Sequence, residues 1–187
     1  MADQGNEGLL SPFLRRQRIC AACSHLKGRV LDYGCGSGSL AEFVLPDSYL
    51  GVDRDAPSLT MARLALPKHT FVSESSAEEG GFETVVALAV IEHVEDPCGF
   101  LKYLAGFLSD SPTASIVITT PHPAMDWVHG FGARLGIFSR HANEEHQELL
   151  NFKRLSEVGG GAGLRVSKYS RFLFGANQLV IFSKNNS

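Results

Sequence analysis

From Arg29 onward the chain alternates short apolar runs with segments whose apolar positions recur at helical spacing. Runs of that length with little polar alternation fit strands buried on both faces. Their interleaving with helical patterns is the signature of βαβ units around a mainly parallel sheet. The pattern predicts strands at Arg29–Asp32, Tyr49–Asp53, Thr70–Val72, Glu83–Ala89 and Ser115–Thr119, and helices near Ser39–Val44, Pro57–Leu66 and Pro97–Leu108. Asp55 and Asp96 each precede a proline near a first turn, where a carboxylate satisfies free backbone N–H groups. An α/β, doubly wound architecture follows.

The two ends and one internal stretch depart from this rhythm. Residues 1–10 are polar and read as a loose end. Ser11-Pro12 opens a helix running to about His25, within an N-terminal helical segment 11–27. After Thr120-Pro121-His122-Pro123 the period lapses through residues 124–150, which hold Trp127, Phe131, Arg134, Phe138 and Arg140. So long an irregular piece suggests a lid or substrate cover, with a loosely packed flap as the equal alternative. A helix at about Asn151–Val158 ends at Gly159-Gly160-Gly161-Ala162-Gly163. Two further runs, Arg165–Phe174 and Gln178–Ser183, flank Gly175-Ala176-Asn177 and read as an antiparallel hairpin closing the sheet. With no repeat and no interdomain linker, residues 1–187 read as one domain.

Composition narrows the classes. The 187 residues are 44% hydrophobic and 20% charged, an ordinary globular balance. A formal charge of −3 disfavours nucleic acid or an anionic membrane as partner. The longest apolar run, Val85–Ile91, is far short of a membrane span, and no leader pattern opens the chain, so a cytoplasmic location is expected. Cys20, Cys23, Cys35 and Cys98 are expected to be reduced thiols, because the CxxC at Cys20 lies in a helix without a second zinc-like pair.

The candidate chemistry concentrates in Val30-Leu31-Asp32-Tyr33-Gly34-Cys35-Gly36-Ser37-Gly38: a strand, an acidic residue, then glycine at every second position before an expected helix start. Glycines there make positive φ cheap and let backbone lie against a ligand, while a helix N-terminus offers N–H groups. The dinucleotide fingerprint needs a third glycine at position 39, which is Ser39, so the spacing argues against NAD. A cofactor with ammonium, carboxylate and sulfonium groups but no pyrophosphate suits it better, with Asp32 facing the cationic side. Asp53, at the end of the second strand, is placed to accept two hydrogen bonds from a ribose diol.

These residues resemble the class I, Rossmann-like S-adenosylmethionine-dependent methyltransferases, in particular their ubiquinone-biosynthesis-type branch. The first motif corresponds to Val30–Ala41, the acidic ribose ligand to Asp53, and the fourth-strand region to Val85–Pro97, ending Glu92-His93-Val94-Glu95-Asp96-Pro97. The resemblance is good over residues 28–123 and weakest over 124–150. It departs from the family at Ser111-Pro112-Thr113, where a glycine pair is common. It implies a seven-stranded sheet whose last pair is antiparallel, with S-adenosylmethionine bound at the carboxyl ends of the strands. By position, Gly34, Cys35, Gly36 and Gly38 would line its methionine part and Arg54 would lie by the adenine. The acidic position after the third strand falls on Ser73, Glu74 or Ser75, with Glu74 and Ser75 favoured. Ala89 and His93 would approach from the fourth strand.

Methyl transfer from a sulfonium is an in-line displacement, so positioning dominates and a base is needed only where the acceptor must lose a proton. His93 and His122 are the candidate bases, each with a structural alternative as a turn residue. His141 and His146, with Glu144 and Glu145 between them, match no standard ligand spacing, so no metal is expected. The expected function is methyl transfer to a small-molecule acceptor at oxygen, with carbon and nitrogen open. The alternatives are a catalytically silent methyltransferase-like subunit and a dinucleotide-linked Rossmann enzyme. Oligomeric state is not legible.

Overall fold

A computed structural model describes residues 11–74, 80–123 and 150–185. The lid expectation at 124–150 and the His141/His146 pair therefore lie outside the described residues, except for Leu150. So does Ser75.

Seven strands form one sheet, β1 Val30–Tyr33, β2 Tyr49–Asp53, β3 Thr70–Ser73, β4 Thr84–Leu88, β5 Ser115–Pro121, β6 Leu164–Phe172 and β7 Asn177–Lys184. Their order is β3-β2-β1-β4-β5-β7-β6. The first five are parallel, while β7 runs antiparallel to both β5 and β6. This is the α/β sheet with a C-terminal hairpin that the pattern and the resemblance implied. Among the described residues four helices cover it: α1 Ser11–Cys23, α2 Ala56–Ala65, α3 Pro97–Gly106 and α4 Phe152–Gly161. The caps are as expected, since Asp55 accepts from the Ser58 N–H and Asp96 from the Gly99 N–H, both at 2.9 Å.

Burial divides the sheet into two faces. Leu31, Val85, Ile116, Ile118, Val180 and Phe182 pack with Leu101, Leu104, Leu155 and Val158 of α3 and α4. On the other face Val30, Val86, Val117, Leu179 and Ile181 pack with Ile19 and Ala22 of α1, while Tyr49 and Phe71 meet Leu59 and Ala62 of α2. Side chains alternate along a strand, so Asp32 points to the α1/α2 face and Tyr33 to the α3/α4 face. That one-residue alternation decides which of them reaches the site.

Three local expectations are corrected. Ser39–Val44 is no α-helix: only Ala41–Phe43 forms a 3-10 turn. The Gly38, Ala41 and Val44 N–H groups each bond a carbonyl three residues back. Leu45-Pro46 then blocks continuation, because the residue before proline is pushed out of the α region and Leu45 has ψ 140°. The glycine run does not stop α4 at Val158, because the helix continues to Gly161 and ends before Gly163, which has φ +76°. The hairpin turn occupies residues 173–176, so Asn177 already pairs with Phe172 in the ladder.

Among the described residues no helix is long and apolar enough to cross a membrane. The four cysteines are free thiols.

Candidate functional site

Parallel strands open their carboxyl ends toward the same side, and ligands of open α/β sheets bind beyond those ends where the strand order reverses. Here β1 lies between β2 and β4, and the turn after it is shaped by contacts on both sides. Gly34 has φ +77°, and a Cβ on it would sit 2.7 Å from Val90 Cγ2, so glycine lets this turn approach the tip of β4. Gly38, at φ +83°, faces the Phe71 ring and Ala62, with Phe71 Cζ 2.8 Å from where its Cβ would be. Its absent side chain serves packing of the turn onto β3 and α2.

The turn satisfies its own polar groups. Gly34 and Cys35 donate their N–H to the Val52 carbonyl at 2.8 and 3.1 Å, and Gly36 donates to Asp53 Oδ2 at 2.7 Å. The N–H groups of Gly34, Cys35 and Gly36 are thus already bonded to β2. Asp53 Oδ1 accepts from the Asp55 N–H at 2.9 Å, so its carboxylate is held by backbone on both oxygens.

A cavity of about 570 Å³ lies beside this turn, lined by Tyr33, Gly34, Asp53, Arg54, Glu74, Ala89, Val90, His93, Val94, Gly99, Phe100 and Tyr103. Of the residues singled out in the sequence, Gly34, Asp53, Arg54, Glu74, Ala89 and His93 meet there. Ala89 holds φ +57°, with its N–H donating to the Thr119 carbonyl at 2.8 Å. A non-glycine residue in the left-handed region is costly and is concentrated at binding sites. His93 ends the short turn Ile91–His93 that follows.

Asp32, Cys35, Gly36 and Gly38 are not among the cavity-lining residues. Asp32 is 3% exposed and accepts from the Tyr49 hydroxyl at 2.8 Å. Burial pushes its carboxyl up to about 7; the Tyr49 bond opposes this and the neighbouring Asp53 charge adds to it. Cys35 is buried, and the same loss of water pushes its thiol up. His122 stands apart from the cavity. Its Nδ1 lies 3.2 Å from Arg171 Nη2, and burial followed by that guanidinium charge pulls the imidazole below its ordinary value.

Sequence reasoning missed the opposite wall. Tyr33 packs edge-on against Phe100 and Tyr103, with ring centroids 5.5 and 5.7 Å apart. Phe100 and Tyr103 are one turn apart on α3, a spacing that in sequence is indistinguishable from a core stripe. Tyr33 stands between Asp32 and Gly34 inside the glycine motif.

A family model described as a methyltransferase domain matches residues 8–169. The chain belongs to that family. A ubiquinone biosynthesis O-methyltransferase of Rhodopseudomonas palustris (strain TIE-1) is 35% identical over 115 residues, 56% of this chain and 44% of that protein. Its counterpart in Bradyrhizobium diazoefficiens is 36% identical over 102 residues, 49% of this chain and 39% of that one. The chain thus spans less than half the length of these curated relatives. Among solved structures, magnesium protoporphyrin IX methyltransferase from Synechocystis PCC 6803, with bound S-adenosylhomocysteine (SAH), superposes with TM-score 0.70 at 15% identity, covering 97% of this chain and 90% of its own. A possible histamine N-methyltransferase from Thermotoga maritima gives 0.70 at 15% identity, covering 92% of each. At that identity the likeness is one of fold. Family membership, with relatives of this fold crystallised with S-adenosylmethionine and with SAH, supports S-adenosylmethionine as the cofactor and sets aside the dinucleotide alternative.

The cavity suits that group. A carboxylate anchored by backbone at a strand tip can meet a diol, and aromatic edges and Val90 offer an apolar wall for a purine.

Proposed function

We propose that the chain is an S-adenosylmethionine-dependent methyltransferase acting on a small-molecule acceptor at an oxygen. The observation that carries the reading is the convergence of Asp53, Glu74, Ala89 and His93, from four strand tips and turns, on one cavity. In this reading Asp53 accepts from the ribose diol and Arg54 lies by the purine. Gly34 and Ala89 flank the methionine end. Asp32 and Gly38 shape the turn from beneath through Tyr49 and Phe71, while Gly36, with open space where a Cβ would lie, leaves its backbone free to approach the methionine end. S-adenosylmethionine supplies an electrophilic methyl group, and the chain's work is to hold an acceptor in line with it.

His93 is the candidate base, since it lines the cavity and is exposed to receive a proton. His122, the other histidine singled out, lies just after β5 and does not line the cavity. Oxygen as the acceptor atom is supported by the names of the curated relatives, which share only part of this chain.

Titration calorimetry with SAH tests the reading first. Micromolar binding that falls at least about tenfold in Asp53→Ala is expected, since the variant loses hydrogen bonds to a charged acceptor. Absence of binding to the wild-type chain overturns the proposal. Incubation with methyl-labelled cofactor and matched phenol, amine and carbon-acid acceptors then locates the label. Binding without transfer to any acceptor favours the silent subunit.

A further inference from the structure

The turn after β4 carries two neighbours with different destinations. His93 is exposed and lines the cavity, whereas Glu92 is half-buried and its carboxylate accepts a hydrogen bond from the Thr120 hydroxyl near the end of β5. Ile91, just before them, is buried in the core under α3 and α4, which pins the turn. Glu92 Oε2 is shut from water and has no hydrogen-bond partner. A buried carboxylate oxygen left unbonded is costly, so its retention calls for a partner that arrives later.

Arg18 reaches the same strand end from α1. Its Nε–H donates to Asn177 Oδ1 at 3.0 Å. Asn177 is buried and pairs with Pro121, the last residue of β5, so it brings the guanidinium to that end. Among the described residues the two Nη groups of Arg18 make no hydrogen bond. The two charges do sense each other: burial lowers the guanidinium below its ordinary value and raises the Glu92 carboxyl, and each partner opposes the other's shift. Yet the guanidinium does not bond Oε2, which stays without a donor. A donor edge and an acceptor atom of opposite charge, each only partly committed, thus lie near one another beside His93.

We infer that Arg18 and Glu92 determine which acceptor the site takes, and that this acceptor is a small hydroxy acid with its hydroxyl and carboxylate on adjoining carbons. The inference rests on the methyltransferase reading above and names the acceptor's class. The carboxylate accepts from the Arg18 Nη groups, whose planar fork matches a pair of oxygens. The hydroxyl donates to Glu92 Oε2 and supplies its missing partner. Adjoining carbons follow from the closeness of the two residues, since side chains near enough to steady each other's charge leave no room for a long spacer. Asn177 and Thr120 are positioning residues: each fixes one charged group and leaves the rest of it free to bind. An acceptor lacking either group leaves one charge without its partner, which is how a polar site rejects an analogue.

Mandelate carries both groups, phenylacetate lacks the hydroxyl, and benzyl alcohol lacks the carboxylate. Calorimetric titration of each into the SAH-loaded wild type, Arg18→Gln and Glu92→Gln tests the pair. Wild type is expected to bind mandelate roughly tenfold or more tighter than either analogue, the size of one hydrogen bond to a charged group. In Arg18→Gln the advantage over benzyl alcohol should vanish while the advantage over phenylacetate persists. In Glu92→Gln the advantage over phenylacetate should shrink by at least about threefold while the advantage over benzyl alcohol persists. A merely structural role would weaken all three ligands alike, so the crossed pattern separates recognition from folding.

Equal binding of the three ligands to wild type, or variants that lower all three together, overturns the inference and leaves the cofactor reading standing. So does an Arg18→Gln chain that loses SAH as steeply as mandelate, because Arg18 would then hold the cofactor's own carboxylate. If wild type binds no SAH, the cofactor reading falls, and the same titrations on the free chain decide the pair.

Discussion

Asp32 shows what burial does to a residue that in sequence reads as a ligand. Its position before the glycine turn is legible, but the direction of its side chain follows from strand parity, which sends it under the turn to Tyr49 instead of into the cavity. Its carboxyl is raised from an ordinary value of 3.8 to about 7. Between those two values the native chain binds more protons at this group than the unfolded chain does. Asp32 therefore costs stability as pH rises through that window, and the penalty is complete above it. Asp32→Asn keeps an acceptor for Tyr49 and removes the ionisation. The variant should gain on the wild type as pH climbs from 4 to 7, by up to about 1.4 kcal/mol per pH unit, and hold that gain at pH 8. Urea melts of both proteins across that range would check it; parallel curves would mean that Asp32 titrates normally. Gly34, Asp53 and Ala89 reach the cavity as their motif positions imply, whereas Tyr33, Phe100 and Tyr103 were hidden among apolar residues that sequence cannot tell from core.

At the scale of elements, strands and caps were readable because their causes are local: apolar runs, and an aspartate before a proline. The helix after the glycine turn was not, because the bonding of the turn to Val52 and Asp53 and the stop at Leu45-Pro46 leave only short 3-10 turns between β1 and β2. Gly159-Gly160-Gly161 misleads in the opposite direction. Read alone the run is a breaker, yet α4 needs thinness there to lie close to β7. A Cβ on Gly159 would sit 2.5 Å from Phe182 Cε1, and Phe182 is fully buried. Gly160 is exposed, and a Cβ on it would meet nothing within 4 Å. Helix propensity alone favours alanine at both positions by about 1 kcal/mol. Packing reverses the sign at the first, since forcing a methyl group against a fixed ring costs about 1–3 kcal/mol. Gly160→Ala is thus expected to raise the denaturation midpoint and Gly159→Ala to lower it. Two shifts of the same sign in thermal melts would show that α4 does not rest on Phe182 as described.

The whole sheet has a consequence that no single element carries. Reading along the chain, β7 is the last strand, yet in space it lies between β5 and β6. It pairs with β5 from Ser115↔Ser183 to Pro121↔Asn177 and with β6 along nearly its whole length. Leu179, Val180, Ile181 and Phe182 are all buried, and they feed both layers of the core. Two apolar runs around Gly175-Ala176 made the hairpin visible in sequence. The insertion of β7 between β5 and β6 was not legible, because which strands neighbour one another is settled by long-range pairing. A chain ending at Gly175 keeps every residue lining the cavity and all four parallel strand pairings, but it exposes the edge of β5, and α1 and α4 lose Leu179 and Phe182. Burying four such side chains contributes about 1.5–3 kcal/mol each, which together matches the net stability of a typical domain. The truncated chain is therefore expected to show no cooperative thermal transition and to lose SAH binding, even though Asp53, Glu74 and His93 remain. A chain ending at Asn185 should melt and bind as the full chain does. Cooperative melting of the shorter form, followed by calorimetry, would instead mean that β1 to β5 with their helices stand alone and that the hairpin is an addition to a finished core.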